Sequence, residues 1–288
     1  MENNDSSSEG EQQVQSVPNL HPHEHSPPNS QQYLALDRWV TNEHPKHLSF
    51  PAHGSSVVTC LLLSYGRIIS ASDDHSIRVY SPATGELLQS MDGHKGGVWA
   101  LAASKDTVVS GSTDRTVRVW DINTGRCIHI FAGHTSTVRC LAIVNPEVVD
   151  IEGEGGAMTK EKWPKQSLIV TGSRDNSLRI WTLPHKSDPE YRWSGVDDAN
   201  AQPSEVCRIA SLTSTPVTSR MLLQEDAKEN PYHRLHMKGH DHTVRALAAR
   251  GRTLVSGSYD GTVRVWDIIT GECKRVLVGH TQEGKILV

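Results

Sequence analysis

Four residues recur together along this chain at a near-constant step: a histidine, a serine or threonine, an aspartate, and an aromatic six residues after the aspartate. The sets are His53, Ser70, Asp74 and Tyr80; His94, Ser110, Asp114 and Trp120; His134, Thr171, Asp175 and Trp181; and His240, Ser256, Asp260 and Trp266. Glycine precedes the histidine at Gly93, Gly133, Gly239 and Gly279, and Ala52 takes that place in the first set. The first three histidines lie 41 and 40 residues apart. A polar set repeated at such a period implies an array of small units, each hiding an apolar face against the next. One Ser–His–Asp trio would invite a nucleophilic mechanism. The same trio in every unit points instead to a buried hydrogen-bond chain, since polar groups taken out of water need partners. Neither catalysis nor a cofactor is expected of it.

Between the polar positions the chain reads as short β-branched strands, such as TVVSGS (107–112) and TVRVW (116–120), parted by turn residues such as Asn123-Thr124-Gly125. With GH and WD ends, the pattern resembles WD40 repeats, each of which forms a four-stranded β-propeller blade. The fold class implied is all-β, a WD40 β-propeller with four full repeats and the start of a fifth. The repeats run over 53–93, 94–133, 134–239 and 240–279, with a partial one at 280–288 and a linker with a leading strand at 39–52. The third repeat is interrupted twice. His134 to Asp175 spans 41 residues where the second and fourth repeats span 20, which places an insertion at 145–166. Trp181 to His240 spans 59 residues where the other repeats span 14, which places another at 184–233. In a four-stranded meander both insertions leave from the same end. The opposite end carries the histidine loops and aspartate turns and stays short throughout, as a binding face would.

Residues 1–38 are rich in Ser, Gln, Asn, His and Pro, and hold too few apolar side chains to order themselves. Within them HPHEHS (21–26) offers metal-ligating groups, but no second ligand cluster accompanies it and no metal is expected. A net charge of −4 argues against a nucleic-acid partner. No run of about 18 apolar residues is present, so no membrane partner is expected. Five cysteines form no CxxC pair; Cys60 and Cys140 share one repeat position and Cys127 and Cys273 another, as small strand residues would. The acidic, polar N-terminus is unlike a secretory leader, and the nucleus or cytoplasm is the expected location.

The aspartate turns pose a question of their own. In GSTDRTVRVWD (111–121), Arg115 follows the aspartate, where sister repeats have Asn176 and Gly261, residues that accept turn geometry cheaply. Arg174 precedes the aspartate of the third repeat, as Thr113 and Tyr259 do in the second and fourth. Arg139 and Arg245 sit five residues after their histidines, a place that Trp99 holds in the second repeat. All share the short-loop end, so four guanidinium groups should face one another across a shallow surface. Clustered cations without carboxylates call for an anion, and arginine matches phosphate through bidentate hydrogen bonds. Phosphoserine or phosphothreonine is the obvious protein-borne source. Arg78, Arg118, Arg179 and Arg264 also recur with the repeat and read as solvated strand residues.

VVTCLLL (57–63), GGVWALAASKDTVVSGSTDRTVRVWD (96–121), GHTSTVRCL (133–141), IVTGSRDNSLRIWTLP (169–184), ENPYHRL (229–235) and TLVSGSYDGTVRVWD (253–267) together resemble a narrower family. It is the F-box/WD40 substrate receptors of SCF ubiquitin ligases, of the fungal cell-division-control type that binds phosphodegrons. The resemblance runs from about Trp39 to Gln282 and includes both insertions. It implies a place in an eight-bladed ring that captures a phosphorylated Thr-Pro segment, while an F-box recruits the ligase core. Arg115, Arg139, Arg174 and Arg245 match the family's phosphate pocket. Trp99, Thr113, Thr137 and Tyr259 match the surrounding contacts, Trp99 in an apolar, proline-binding role. Residues 1–38 show no amphipathic helical pattern of F-box length, and the fifth repeat departs from the pattern at EGKILV (283–288). The expectation is therefore a truncated or mis-assembled version of a longer receptor, with the SCF core a partner only where an F-box is present in a longer form. The function implied is a substrate-recognition adaptor for phosphorylated proteins. The alternatives are a generic WD40 interaction scaffold, or a fragment unable to recruit the ligase.

Overall fold

The computed structural model describes residues 47–152, 158–193 and 230–279. The expected tail, the HPHEHS tract and the partial repeat at 280–288 lie outside them. Residues 47–50, at the end of the expected linker and leading strand, run as coil. All regular elements among the described residues are strands. The first blade is β1 (Val58–Ser64), β2 (Arg67–Ser72), β3 (Ile77–Tyr80) and β4 (Leu87–Met91). The second is β5 (Val98–Ser104), β6 (Thr107–Ser112), β7 (Val117–Asp121) and β8 (Cys127–Phe131). In the third, β9 (Val138–Val144) is followed by a separate antiparallel hairpin, β10 (Glu147–Glu152) and β11 (Met158–Trp163). The blade then resumes with β12 (Leu168–Ser173) and β13 (Ser177–Thr182). A two-residue strand, β14 (Tyr191–Arg192), precedes its last strand, β15 (His233–Lys238). The fourth blade is β16 (Val244–Arg250), β17 (Thr253–Ser258), β18 (Thr262–Asp267) and β19 (Cys273–Val278).

Each blade is an antiparallel meander, and neighbouring blades pack face to face through three apolar cores. The core between the second and third blades shows the rule. Val109, Val117, Val119 and Phe131 of one blade meet Val138, Ile169, Trp181 and Leu183 of the next, all buried. Strand alternation supplies both faces, because every strand but the outermost is covered on two sides. Glycine in the second strand of a blade leaves room for a valine of the next. A Cβ on Gly111 would overlap Val138, and one on Gly172 would come within 2.8 Å of Val244 Cγ1. Cys60, Cys127, Cys140 and Cys273 are half-buried.

Two features depart from the sequence reading. Arg118 and Arg179 are only 2 % exposed, and Arg78 and Arg264 are half-buried, so these arginines are not solvated. The guanidinium of Arg118 lies over Trp120 at 6.0 Å, and Arg78 Nη1 donates to the Ala52 carbonyl at 2.7 Å. The Trp120 face thus receives the Arg118 guanidinium, Arg179 Nη1 lies 3.0 Å from His233 Nε2, and the buried Nε groups of Arg179 and Arg264 have no hydrogen-bond partner among the described residues. The second departure is β14, which joins the outer edge of the second blade parallel to β8, pairing Tyr191 with His129 and Arg192 with Ile130.

Candidate functional site

In the second, third and fourth blades the repeated polar set forms one directed chain. In the second blade, Trp120 Nε1–H donates to Ser110 Oγ (2.8 Å), the serine hydroxyl to His94 Nε2 (2.7 Å), and His94 Nδ1–H to Asp114 (2.7 Å). A carboxylate only accepts, so the tautomer is fixed from the aspartate end. The third blade repeats the chain through Trp181, Thr171, His134 and Asp175 at 3.1, 2.8 and 2.9 Å. The fourth does so through Trp266, Ser256, His240 and Asp260 at 2.8, 2.8 and 2.7 Å. In the first, His53 keeps Ser70 and Asp74 at 2.8 and 3.0 Å, but the Tyr80 hydroxyl turns to the Ala52 carbonyl.

Asp114 also accepts from the Lys95 and Thr116 backbone N–H groups and from the Thr116 hydroxyl. Burial alone would raise the Asp114 carboxyl, but the hydrogen bond and charge of His94 and the bonds from Thr116 outweigh it and hold the carboxyl well below the usual range. Burial pushes His94 down, only partly offset by Asp114, so the ring is neutral beside a charged carboxylate. These brackets stiffen the short-loop face.

On that stiff base the candidate residues are aimed by a second repeated device. Register slips at the opening of each innermost strand, between Val58 and Cys60, Val98 and Ala100, Gly172 and Ser173 (opposite Cys140 and Val138), and Val244 and Ala246. The residues left without an opposite partner are Thr59, Trp99, Arg139 and Arg245. A bulge re-aims its extra side chain. The residue before each turn aspartate is pinned alongside: Thr113 N–H donates to Gly97 O (2.9 Å), Arg174 N–H to Thr137 O (2.9 Å), and Tyr259 N–H to Thr243 O (3.1 Å).

The outcome is a compact cationic cluster. Arg139 is half-buried, its guanidinium carbon 4.2 Å from the Trp99 ring centroid. Burial, then the charges of Arg245 and Arg174, push Arg139 below the ordinary guanidinium range, and Tyr259 opposes them. Arg174, Arg245 and Tyr259 are exposed. None of Arg115, Arg139, Arg174 and Arg245 forms an ion pair with a carboxylate among the described residues. Thr137 is buried and acts through its carbonyl, whereas Thr113 is exposed.

Arg115 sits in a different setting. Its φ is +74°, matching His75 (+72°), Asn176 (+68°) and Gly261 (+79°) at the same turn position. It lines a cavity of about 290 Å³ with Lys95, Thr113, Asp114, Thr116, Arg118 and Trp193. Sequence reading missed two of these. Lys95 was legible, since it directly follows a loop histidine on the short-loop face. Trp193 was not: it arrives from the second insertion because β14 runs parallel to β8 towards this face, and Trp193 N–H donates to Ile130 O at 3.2 Å. A further cavity, about 260 Å³, is lined by Asp175, Asn176, Arg179, His236, Lys238 and His240 among others. His242, also missed, holds its ring 5.8 Å from that of Tyr259, tilted by 58°.

The WD domain, G-beta repeat, matches residues 45–81, 85–121, 125–147, 162–182 and 231–267. The chain belongs to the WD40-repeat family. The third and fourth of these WD40 segments flank the β10–β11 hairpin, so five matched segments correspond to four blades. Among similar proteins, cell division control protein 4 of Candida albicans is 40% identical over 249 residues, covering 86% of this chain and 32% of that protein. The WD repeat-containing protein pop2 of Schizosaccharomyces pombe is 38% identical over 251 residues, covering 86% of this chain and 31% of its own. The chain thus spans about a third of the length of these relatives. The crystal structure of the computationally designed Ika4 protein superposes with a TM-score of 0.50 at 26% identity, covering 78% of this chain and 99% of that one.

Proposed function

We propose that the short-loop face binds phosphorylated Ser/Thr-Pro segments of protein substrates, and that the chain serves as a substrate-recognition adaptor for SCF-type ubiquitination, doing no chemistry itself. One observation carries this reading: Arg139 lies within electrostatic reach of both Arg174 and Arg245, and none of the three is paired with a carboxylate among the described residues. Holding guanidinium groups together costs free energy that a dianion recovers through charge-assisted hydrogen bonds. Arg139 is flattened against Trp99, which orients its N–H fork and leaves an indole beside it for the proline that follows the phosphorylated residue. Arg115, Lys95 and Thr113 extend the donor surface along the second blade. The similarity to cell division control protein 4 supports the same reading. Recruitment of the SCF core would fall to an F-box in a longer form.

Charge reversal tests it. Arg139→Glu and Arg174→Glu should each weaken binding of a phosphothreonine-proline peptide by about a hundredfold or more, since each removes bonds worth roughly 1.5–3 kcal/mol and adds repulsion. Fluorescence anisotropy reads this directly. A generic scaffold predicts unchanged binding, and that outcome would refute phosphate specificity.

A further inference from the structure

The arginine in the third strand of each blade recurs, but its partners differ. In the first blade Arg78 donates to the Ala52 carbonyl. In the second, Arg118 has the Asp114 carboxylate at 3.9 Å and donates from Nε to the Thr116 hydroxyl. Arg179, in the third, is 2% exposed and forms no ion pair with a carboxylate among the described residues. Its Nη1–H donates to His233 Nε2 at 3.0 Å, on a ring that burial keeps neutral. The opposite edge of the guanidinium, Nε and Nη2, is left over, and the buried Nε–H has no acceptor. Asp175 lies within electrostatic reach, but its oxygens are taken. His134 and the Thr135 N–H donate to one, and the Ser177 N–H and hydroxyl to the other. A guanidinium out of water without a paired counter-charge is costly, and a bare buried N–H adds to that cost. Arg179 also lines the cavity of about 260 Å³ on the short-loop face, where the third blade meets the histidine loop of the fourth. Lys238, an exposed cation, shares that lining, and Asn176 Nδ2–H ties the two blades there through Asp241 O at 3.1 Å. Arg264 also has a bare Nε, but it is half-buried and lines neither of the two cavities.

We propose that this cavity binds a carboxylate, gripped by the free Nε–Nη2 edge of Arg179 and balanced at the surface by Lys238. That edge of a guanidinium matches the two oxygens of a carboxylate, giving a bidentate, charge-assisted pair. A single negative charge suits the site. Asp175 on the same lining weighs against a dianion, which separates this cavity from the arginine cluster, where no carboxylate stands. The carboxylate belongs to an aspartate or glutamate side chain, or to a small free acid. In the blade the order is β15, β13, β12, β9, so Arg179 on β13 stands two strands outward from Arg139 on β9. Two strand spacings are about 10 Å, the reach of about three extended residues. An acidic residue three or four places from the one held at the arginine cluster would therefore arrive at this cavity.

Nitrogen–proton correlation spectra of the arginine side chains test the site, recorded on the intact chain as potassium acetate replaces potassium chloride. The Arg179 Nε–H resonance should move saturably at millimolar acetate, and Lys238→Met should raise the midpoint severalfold. An Arg179 resonance that ignores acetate would overturn the proposal, as would one that responds to potassium phosphate at lower concentration. Arg139→Glu should leave the midpoint in place, so this result stands whether or not the arginine cluster reads a phosphate. Phosphothreonine-proline peptides with glutamate or glutamine three or four places to either side identify the source. Glutamate should bind roughly tenfold tighter at one of these places, as a charge-assisted pair with a buried group would give. Arg179→Met replaces an unpaired buried charge with an apolar chain, so it should keep the melting temperature and the affinity for the glutamine peptide while abolishing the preference for glutamate. A preference that survives Arg179→Met would overturn the assignment to this arginine. Equal binding of the two peptides beside a saturable acetate response would overturn the side-chain source and leave a free small acid as the ligand.

Discussion

Arg115 occupies left-handed backbone, φ +74°, where a side chain with a Cβ costs about 1 kcal/mol relative to glycine. The fourth blade has Gly261 at the same turn position with φ +79°, so glycine fits the turn. Arg115→Gly should therefore leave the melting temperature unchanged or raise it by a few degrees, while weakening phosphopeptide binding severalfold. A lower melting temperature would show that the side chain holds the fold rather than a ligand. The bracket residues should behave in the opposite way. Asp114→Ala strips His94, Lys95 N–H and Thr116 of their shared acceptor, at a cost of roughly 2–3 kcal/mol visible in urea unfolding. An unchanged unfolding midpoint would contradict the hydrogen-bond chain as a structural element.

At the level of elements, what repeats was legible and what occurs once was not. The blades could be read because each must satisfy the same buried His, Ser or Thr, Asp and aromatic groups, and a need repeated four times leaves a period in the sequence. Trp99, Arg139 and Arg245 could be picked out for the same reason, although the bulge that aims them left no mark in residue type. Nothing in EYRW (190–193) announces β14. Its place is set by a partner in another blade: Tyr191 N–H donates to His129 Nδ1 at 3.1 Å, and the Tyr191 ring packs on Phe131 and Tyr232. Tyr191→Ala should free this strap, seen as faster proteolytic cleavage within 184–193 and faster amide exchange in β8. Unaltered cleavage and exchange would mean that the ring does not hold the strap in place.

The whole molecule should respond to acid in two stages. Burial is the first cause that pushes His94, His240 and the half-buried His233 below their usual value, the last to about 4. Such a histidine takes its proton more readily in the unfolded chain, so the stability it contributes is whole above about pH 6.5 and is lost as the pH falls towards 4. Asp114, Asp175 and Asp260 are held well below the carboxylate range, so their contribution persists down to about pH 4 and is lost only below it. The melting temperature should decline from pH 6.5 to 4 and collapse beneath that; a flat profile between pH 7 and 4.5 would contradict the buried neutral histidines. The central claim is that the rim of this molecule reads a phosphate. The most direct measurement is the affinity of the intact chain for one threonine-proline peptide with and without phosphate on the threonine. Binding at least tenfold tighter with the phosphate, and weakening as salt rises, is the predicted result. Equal affinity for the two peptides would contradict it.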